Sequence, residues 1–323
     1  MGKPVVYIDG KEGTTGLQIY DRLAGREDIE LLLIDEDKRK DSAERKKLMN
    51  AADVVFLCLP DAAAMEAAEL AENPNTRIID ASTAHRTAPG WVYGFPELGA
   101  DQREAIRNAG RVANPGCYAT GFISLIAPLV KRRLLPVGAP LTCHAVSGYT
   151  GGGKKAIAQY GAADREPELV SPRHYAVTLA HKHIPEMMQV CGLTRKPIFM
   201  PMICDFPQGM VVTVPLYLDM LSGAQTLDTL RAVYRDFYAG SRFVTVRPDD
   251  APACGFIGSN NLAGTNDLQI FVCGSEEQVM LASRLDNLGK GASGAAVQNM
   301  NIMLGFPEEA GLDKQERQPC VMK

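Results

Sequence analysis

The stretch "PVVYIDGKEGTTGLQIYDRLAG", residues 4–25, decides the fold, because it joins a short β-branched strand to a helical pattern through a glycine loop. The glycines are spaced G-x-x-G-x-x-G. Glycine permits a tight turn and close backbone approach, and the start of the following helix offers free N–H groups to a phosphate. A turn into a helix needs glycine in any case, but the position between a first strand and a first helix favours a dinucleotide-binding loop. The candidate cofactor-binding residues are Gly10, Gly13, Thr14, Thr15 and Gly16.

The first third of the chain continues to alternate strands with helices. "IELLLID" (29–35), the continuous apolar run in "DVVFLCLP" (53–60) and "TRIID" (76–80) are strand patterns. "DAAAMEAAELAEN" (61–73) is a helical pattern with Asp61 at its start, where a carboxylate can cap free N–H groups. This alternation predicts an α/β fold with a Rossmann-like, doubly wound parallel sheet.

Beyond about residue 135 the pattern becomes rich in β-structure. "LTCHAVSGY", "RHYAVTLAHK", "PIFMPMICDF", "GMVVTVPLYL", "FVTVRP" and "LQIFVCG" predict strands, while "IPEMMQVCG" and "TLDTLRAVYRDFYAG" predict helices. This mixture predicts an α+β second domain with a mixed or antiparallel sheet. A last helical stretch, "DNLGKGASGAAVQNMNIMLG" (286–305), is rich in Gly and Ala and can lie close to another backbone.

Composition excludes several classes of partner. The 323 residues carry a formal net charge of −4 without a basic stripe, which argues against a nucleic acid or an anionic membrane as the main partner. We find neither a secretion signal nor an apolar run long enough to span a bilayer. The eight cysteines follow no disulfide or zinc spacing. We therefore expect a cytoplasmic, reduced protein without a metal.

Cys117 lies in "VANPGCYATG" (112–121), between a Pro-Gly turn and the apolar run "FISLIAPLV". A free cysteine often packs as a small hydrophobic residue, so a packing role is the first alternative. The second alternative is a nucleophile at a helix start, where the N-terminus lowers the pKa of a thiol. The stretch alone leaves both open.

A nucleophilic cysteine needs a base, and "LAHKHIPEM" (179–187) supplies two histidines. If this segment is extended, His181 and His183 project from one face. Pro185 then starts a helix with Glu186 in its first turn. A metal pair is the alternative, but no further ligand stands at a complementary spacing.

Several polar motifs are suited to anions. "DASTAHR" (80–86) follows a strand end, and "SGYTGGGKKAI" (147–157) joins a glycine-rich turn to Lys154. After the second strand, in "DEDKRK" (35–40), Asp35 could bind a ribose 2′-hydroxyl and favour NAD. Lys38 and Arg39 could pair with a 2′-phosphate and favour NADP. Solvated surface charges are the alternative for each motif, and the residues alone do not decide between them.

Together these motifs resemble those of the N-acetyl-γ-glutamyl-phosphate reductases of arginine biosynthesis, along nearly the whole chain. "NPGCYATG" is similar to the family's N-P-G-C-Y box with its nucleophilic cysteine. "DASTAHR" followed by "YGFPEL", and then "HKHIPEM", are similar to three further family segments. The 286–305 stretch is similar to the C-terminal helix that returns to the nucleotide domain. The loop "GKEGTTG" and the turn "FPQGM" (206–210) depart from the usual pattern, as in a compact subgroup of the family.

The resemblance implies a dinucleotide-binding domain at 1–116 and 287–306 and a catalytic, dimerising domain at 117–286. It implies NADP(H) as cofactor and a homodimer or homotetramer. Its implied catalytic residues are Cys117, His181 and His183, with His181 favoured for acid–base catalysis. Its implied substrate-binding residues are Arg86, Ser147, Lys154 and Glu186. The implied cofactor-binding residues, besides the glycine loop, are Lys38, Arg39, Ser82 and Asn299.

The implied reaction is the reduction of an acyl phosphate through a thioester on Cys117, with release of phosphate, as in a phosphorylating aldehyde dehydrogenase. Aspartate-semialdehyde dehydrogenases share the fold and the thiol chemistry but carry a different cysteine box, and they are the alternative enzyme. A nucleotide-sensing regulator is the alternative outside enzymes, and it would not need Cys117 together with two histidines.

Overall fold

A computed structural model of the chain describes residues 2–247 and 255–312. The first sheet is wholly parallel and has the strand order β2-β1-β3-β4-β6-β5. Its strands are β1 (Val5–Asp9), β2 (Glu30–Leu32), β3 (Val54–Leu57), β4 (Arg77–Asp80), β5 (Val92–Tyr93) and β6 (Arg111–Ala113). This confirms the doubly wound α/β prediction, although β2 is shorter than the apolar run that predicts it.

Helices cover both faces of this sheet, because successive strand residues point to opposite sides. Val6 and Ile8 pack against the helices at 14–23 and 294–304, whereas Tyr7 packs against the helices at 42–51 and 61–70. The helices of this part are α1 (Thr14–Leu23), α2 (Ser42–Ala51), α3 (Asp61–Leu70) and α4 (Ala100–Asn108). Burial on both faces explains the continuous apolar run of β3.

The prediction that Asp61 caps its own helix is wrong. Its carboxylate accepts hydrogen bonds from the backbone N–H of Thr83 at 2.9 Å and from the Thr83 hydroxyl at 2.5 Å. Helix α3 has no side-chain cap, and Pro60 stands at its cap position. Asp61 therefore ties the start of α3 to the loop after β4.

The second sheet is mixed and has the order β11-β12-β13-β10-β7-β9-β8. Its strands are β7 (Thr142–Gly148), β8 (Arg173–His174), β9 (Ile198–Cys204), β10 (Met210–Tyr217), β11 (Val244–Val246), β12 (Leu268–Gly274) and β13 (Gln278–Leu285). Its helices are α5 (Cys117–Lys131), α6 (Gly153–Gly161), α7 (Ile184–Cys191) and α8 (Leu227–Phe237). The α+β prediction is confirmed.

The second sheet differs from the sequence predictions in three details. The segment 173–182 predicts one long strand, but only Arg173–His174 pair with β9, and the chain then turns. Strand β13 was not predicted from its pattern, yet it lies inside the sheet between β12 and β10. The strand predicted at 243–248 ends at Val246, and its last residue, 248, lies outside the described residues.

Helix α5 is the central packing element of the second sheet. It lies against β10 and β13 and against α7 and α8, and nearly its whole length is buried. Close approach depends on Gly121, where a Cβ would come nearer than 3.0 Å to the side chains of Val212 and Ser283. The Ser283 hydroxyl also donates to the Gly121 carbonyl at 3.0 Å. This packing fixes where the start of α5 lies.

The Gly/Ala-rich stretch forms a π-helical turn, Gly289–Ser293, that leads into α9 (Gly294–Leu304). Helix α9 packs against α1, α4 and β4 of the first sheet. At Gly291 a Cβ would come within 3.0 Å of the Cys117 Cβ, so glycine lets this turn pass directly beside Cys117. Within the described ranges, no helix is both long and apolar enough to cross a bilayer.

Candidate active site

Cys117 is the first residue of α5 and lines a cavity of about 590 Å³. The cavity lies between the carboxyl ends of the strands of the first sheet and the carboxyl end of β7 in the second sheet, where Ser147 and Gly148 line it. Of the implied catalytic and substrate-binding residues, the following line it: Arg86, Cys117, Ser147, His181 and His183. The sequence separates these residues by up to about a hundred positions, and the fold brings them together.

A second cavity, of about 210 Å³, adjoins the first and reaches the glycine loop. Gly13 and Thr14 line it, and both cavities share Thr15, Ala81, Gly151 and Leu288. The loop follows β1 at the point where the strand order of the sheet reverses, between β1 and β3. Doubly wound sheets bind ligands at such a point. One ligand can therefore extend from the glycine loop to Cys117.

The glycine loop has the shape that a dinucleotide phosphate requires. Gly10 has φ +85°, and a Cβ there or at Gly16 would come closer than 3.0 Å to backbone oxygens of Cys58 and Gly10, respectively. The first helical bond runs from the Leu17 N–H to the Gly13 carbonyl, which leaves the N–H groups at the start of α1 available. Because its three glycines carry no side chain, a pyrophosphate can approach the backbone of this loop closely.

Arg86 and Glu186 form a buried ion pair behind the nucleophile. The Arg86 Nη1 donates to Glu186 Oε1 at 2.7 Å, and the Arg86 guanidinium also donates to the carbonyls of Asn114 and Ala81. The other carboxylate oxygen of Glu186 accepts from the Tyr93 hydroxyl at 2.6 Å and from the Gly116 N–H at 3.1 Å. The pair therefore holds the peptide that precedes Cys117.

The sequence places Glu186 among the substrate-binding residues, but the structure places it outside the cavity lining. It is 1% exposed, and both of its carboxylate oxygens are occupied by Arg86, Tyr93 and Gly116. A Cβ at Gly116 would come closer than 3.0 Å to Arg86, Glu186 and His183. The glycine of the N-P-G-C motif is thus needed because this cluster packs directly against its α-carbon.

His181 and His183 do not lie on an extended strand, so that expectation is wrong. The His183 N–H donates to His181 Nδ1 at 3.1 Å, and the Ile184 N–H donates to the His181 carbonyl, so the segment is a turn that starts α7. The rings still meet, with centroids 4.7 Å apart. Because a backbone N–H can only donate, neutral His181 carries its proton on Nε2, which lies 3.4 Å from the Tyr175 hydroxyl.

Burial sets the charge states of the site. Burial, together with the charges of Lys182 and Arg86, lowers the pKa of His181 to about 4. Burial and Arg86 lower the pKa of His183 well below its ordinary value. Burial also raises the pKa of Cys117 to about 11, although Arg86 and the backbone N–H groups of Tyr118 and Cys117 oppose it. The expectation of a lowered thiol pKa is therefore wrong for the free enzyme, because desolvation outweighs the helix start.

Lys154, Ser82 and Asn299 also lie outside both cavity linings. Lys154 is exposed in the first turn of α6. The Ser82 hydroxyl donates to Asp80 at 2.7 Å and accepts from the Ala84 N–H. Asn299 is fully buried in α9 and donates to the Gly94 carbonyl at 2.9 Å.

Lys38 and Arg39 are exposed in the loop after β2, on the side of the sheet where the glycine loop lies. Lys38 lies 3.4 Å from the Asp35 carboxylate, and this hydrogen bond raises the pKa of the Lys38 amine. The loop therefore presents cations beside an acid, as the sequence suggests.

Sequence reasoning did not select several residues that line the larger cavity. They are Asn114, Tyr118, Tyr175, Lys182 and Asn287. Asn114 and Tyr118 are close to Cys117 in the sequence, and Lys182 lies between the two histidines. This closeness in the sequence could have identified all three as site residues. Tyr175 had no such signal. Asn287 accepts from the Gly209 N–H at 2.8 Å and donates to Thr150 at 3.0 Å, which holds the "FPQGM" turn beside the cavity.

Two domain families match the chain. The semialdehyde dehydrogenase NAD binding domain matches residues 34–109, and the semialdehyde dehydrogenase dimerisation domain matches residues 117–287. The chain therefore carries a nicotinamide-cofactor domain of this type, joined to the domain that begins at Cys117.

The chain is also similar to solved structures at low identity. Aspartate semialdehyde dehydrogenase II of Vibrio cholerae, complexed with ASA, superposes with a TM-score of 0.72 at 14% identity, covering 94% of this chain and 99% of that one. The Francisella tularensis aspartate semialdehyde dehydrogenase gives 0.71 at 13% identity, covering 93% and 100%. This likeness establishes the fold.

Curated relatives match over nearly the full length at much higher identity. N-acetyl-gamma-glutamyl-phosphate reductase 2 of Nostoc sp. is 48% identical, covering 97% of this chain and 100% of the relative. N-acetyl-gamma-glutamyl-phosphate reductase of Rhizobium meliloti is 51% identical, covering 94% and 99%. The chain, with its cysteine at the start of α5 facing a cavity that reaches the glycine loop, belongs to the N-acetyl-γ-glutamyl-phosphate reductase family.

Proposed function

We propose that this chain reduces N-acetyl-γ-glutamyl phosphate to N-acetyl-glutamate 5-semialdehyde with release of phosphate, as a reductase of arginine biosynthesis. The observation that carries the proposal is the position of Cys117. It lies at the start of α5, in a cavity that is continuous with the glycine loop. Membership of the reductase family supports the substrate, and the site supports covalent chemistry at an acyl carbon.

In the proposed first step the Cys117 sulfur attacks the acyl carbon, and the carbon–oxygen bond to phosphate breaks. The pKa of about 11 keeps the free thiol protonated near neutral pH, so its proton must leave during the attack. That proton passes to the oxygen of the departing phosphate. Because Nδ1 of His181 already accepts from the His183 N–H and Nε2 carries the proton, the proposed acid–base role of His181 is donation from its Nε2–H. The products are a thioester on Cys117 and inorganic phosphate.

A nicotinamide cofactor bound between the glycine loop and Cys117 supplies the hydride that reduces the thioester. The resulting thiohemiacetal oxygen needs hydrogen-bond donors. The N–H groups of Cys117 and Tyr118 at the start of α5 and the Nε2–H of neutral His181 are the donors that the site offers. Collapse then breaks the carbon–sulfur bond and releases the aldehyde, and the Cys117 thiolate takes up a proton from solvent to regenerate the thiol.

The remaining residues have proposed positioning and binding roles. We assign Arg86 and Glu186 to holding Gly116 and Cys117 in place, since they bind each other and the adjoining peptide. Ser147 and His183 line the cavity and are proposed to contact the substrate. Lys154 is proposed to act only by long-range attraction of the anionic substrate, because it is exposed outside the lining.

NADP(H) is the proposed form of the cofactor. The glycine loop is proposed to bind the pyrophosphate through backbone N–H groups, and Lys38 and Arg39 to pair with a 2′-phosphate. Asp35 is the opposing feature, because a carboxylate there can bind a ribose 2′-hydroxyl. Ser82 and Asn299 are proposed to support the loops around the cofactor rather than to contact it, since their polar groups bind protein atoms.

We also propose the division into 1–116 with 287–306 as the dinucleotide-binding domain and 117–286 as the catalytic and dimerising domain. The packing of α9 against α1, α4 and β4 supports the return of the C-terminal helix. The family description "dimerisation domain" supports a homodimer or a homotetramer. The biosynthetic role supports a cytoplasmic location.

A phosphate-dependent oxidative assay tests the function directly. The purified chain is given NADP⁺, inorganic phosphate and either N-acetyl-glutamate semialdehyde or aspartate semialdehyde. We expect turnover with the first aldehyde at a kcat/KM at least about a hundredfold higher. Preference for aspartate semialdehyde would contradict the substrate assignment, and cofactor binding without turnover of either aldehyde would favour a sensor.

A further inference from the structure

The larger cavity holds two cationic side chains, and one of them is already neutralised. Among its lining residues within the described ranges, the cations are Arg86 and Lys182. The Arg86 guanidinium is bound by Glu186 and by two backbone carbonyls, and its side chain is 8% exposed. A ligand anion therefore meets a site in which the Arg86 charge is matched by a carboxylate.

Lys182 differs from Arg86 in both exposure and pairing. It is exposed, and it lies between His181 and His183 in the turn that starts α7. Across residues 2–247 and 255–312, no carboxylate lies within 4 Å of its amine. Its positive charge nevertheless acts on both neighbouring histidines. It helps to lower the pKa of His181 and of His183, in each case after the larger effect of burial.

Lys182 also faces the first domain. Burial opposes ionisation of Asp61, but hydrogen bonds from Thr83 and the charges of Lys182 and Arg86 outweigh it and lower the pKa of Asp61. The amine thus lies in the region bounded by the histidines on one side and by the start of α3 on the other. Lys182 is therefore a cation of the larger cavity's wall that no carboxylate of the described residues neutralises.

The proposed substrate carries two anionic groups, a phosphate on the reacting carbonyl and a carboxylate at the other end of its carbon chain. The reacting carbon must lie beside Cys117 and within reach of His181. Because the phosphate is bonded to that carbon, it falls next to the residue adjacent to His181, whereas the carboxylate lies farther away. A compact ammonium is suited to a phosphate as a point charge.

We propose that Lys182 binds the phosphate group, both as the leaving group of the acyl phosphate and as inorganic phosphate in the reverse reaction. This assignment rests on the proposed function and adds the residue that recognises the phosphate. Lys182 holds the dianion beside Cys117 and compensates the charge that develops on the leaving oxygen. It does not touch the acyl chain.

The test compares Lys182→Met, Lys182→Arg and the control Lys155→Met, which changes an exposed α6 lysine outside both cavity linings. In the oxidative assay, Lys182→Met should raise the KM for phosphate by about tenfold or more, equivalent to about 1.4 kcal/mol. The KM for the semialdehyde should stay within about twofold. Lys182→Arg should recover most of the phosphate affinity, and Lys155→Met should match the wild type.

A second readout needs no turnover. Inorganic phosphate should slow the alkylation of Cys117 by iodoacetamide in the wild type and in Lys155→Met, but much less in Lys182→Met. A rise in the semialdehyde KM with an unchanged phosphate KM would assign Lys182 to the carboxylate and overturn the proposal. Equal protection by phosphate in the wild type and Lys182→Met would also overturn it. An inactive wild type that phosphate still protects through Lys182 would instead contradict the proposed function.

Discussion

The carboxylate of Glu186 accepts a hydrogen bond from the backbone N–H of Gly116 at 3.1 Å, so helix α7 holds the peptide that precedes Cys117. The same carboxylate pairs with Arg86 and accepts from Tyr93. One buried group therefore joins α7, the loop after β4, strand β5 and the start of α5. Its task is to fix the nucleophile, which is a different task from binding substrate.

Removing this carboxylate should be costly for the fold. Glu186→Ala leaves the Arg86 guanidinium buried without its counter-ion, and breaking a buried pair in this way costs about 3–5 kcal/mol. Glu186→Gln keeps the shape and should lose less stability while still lowering kcat. Urea unfolding and steady-state kinetics of both variants check this. Wild-type stability in Glu186→Ala would show that the pair does not hold the site.

Cys117→Ser should preserve the fold and cofactor binding while turnover falls by several orders of magnitude, because a serine hydroxyl is a far weaker nucleophile without an activating base. Stopped-flow or steady-state assays with titrated cofactor measure both quantities. Cys273→Ser, on β12 away from the cavity, is the matched control. A Cys117→Ser rate above about a tenth of wild type, a loss below about 1.4 kcal/mol, excludes covalent catalysis here.

Gly116→Ala should disable the site while leaving most of the fold. Its Cβ would come closer than 3.0 Å to Arg86, Glu186 and His183, which must shift and move Cys117 with them. We expect a stability loss of about 1–3 kcal/mol and a kcat loss of about a hundredfold. Gly110→Ala is the control, since a Cβ there meets nothing within 4 Å. Equal activity of the two variants would contradict the packing argument.

The pH dependence should follow the buried site rather than free side chains. Since the pKa of His181 is lowered to about 4, its imidazole stays neutral as pH falls through 6.5, and it charges only near 4. The pKa of Cys117 is raised to about 11, which places the alkaline limb of the pH–rate profile far above neutral pH. The profile of kcat/KM should therefore be flat from about pH 5 to 9.

His181→Asn should lower kcat across that whole range, with His174→Asn at the sheet edge as control. The sequence alone predicts a limb near the imidazole reference of about 6.5. A wild-type limb at 6.5 that disappears in His181→Asn would show that the imidazole is more hydrated than its burial implies.

The cofactor preference should be for NADPH. Lys38→Ala combined with Arg39→Ala should lower kcat/KM for NADPH by about tenfold or more and leave that for NADH nearly unchanged, because only NADPH carries the 2′-phosphate. Lys47→Ala, which removes an exposed cation of α2 paired with Glu44, controls for the loss of surface charge. A wild-type preference for NADH would overturn the assignment and make Asp35 the deciding residue.

The sequence by itself determined the features that depend on local chemistry. The strand–glycine–helix order of residues 4–25 predicts the parallel sheet and the phosphate loop, and Gly10 has the positive φ that such a turn requires. The Pro-Gly turn and apolar run predict a helix beginning near Cys117, and α5 begins there. These features follow from residue periodicity and from the conformations that glycine and proline permit. A short segment of the sequence is therefore enough to predict them.

Only the tertiary structure decided the protonation states of the site residues and which residues contact them. It brought Glu186 into contact with Gly116, seventy positions away in the sequence, and with Arg86, a hundred positions away, and it packed Gly291 against Cys117. It turned the two histidines out of an extended strand, and burial reversed the expected shift of the Cys117 pKa. Such properties depend on which elements meet at the edge of the sheet and on how much water they exclude. No local pattern encodes them, because desolvation and long-range contact arise only when distant segments pack together.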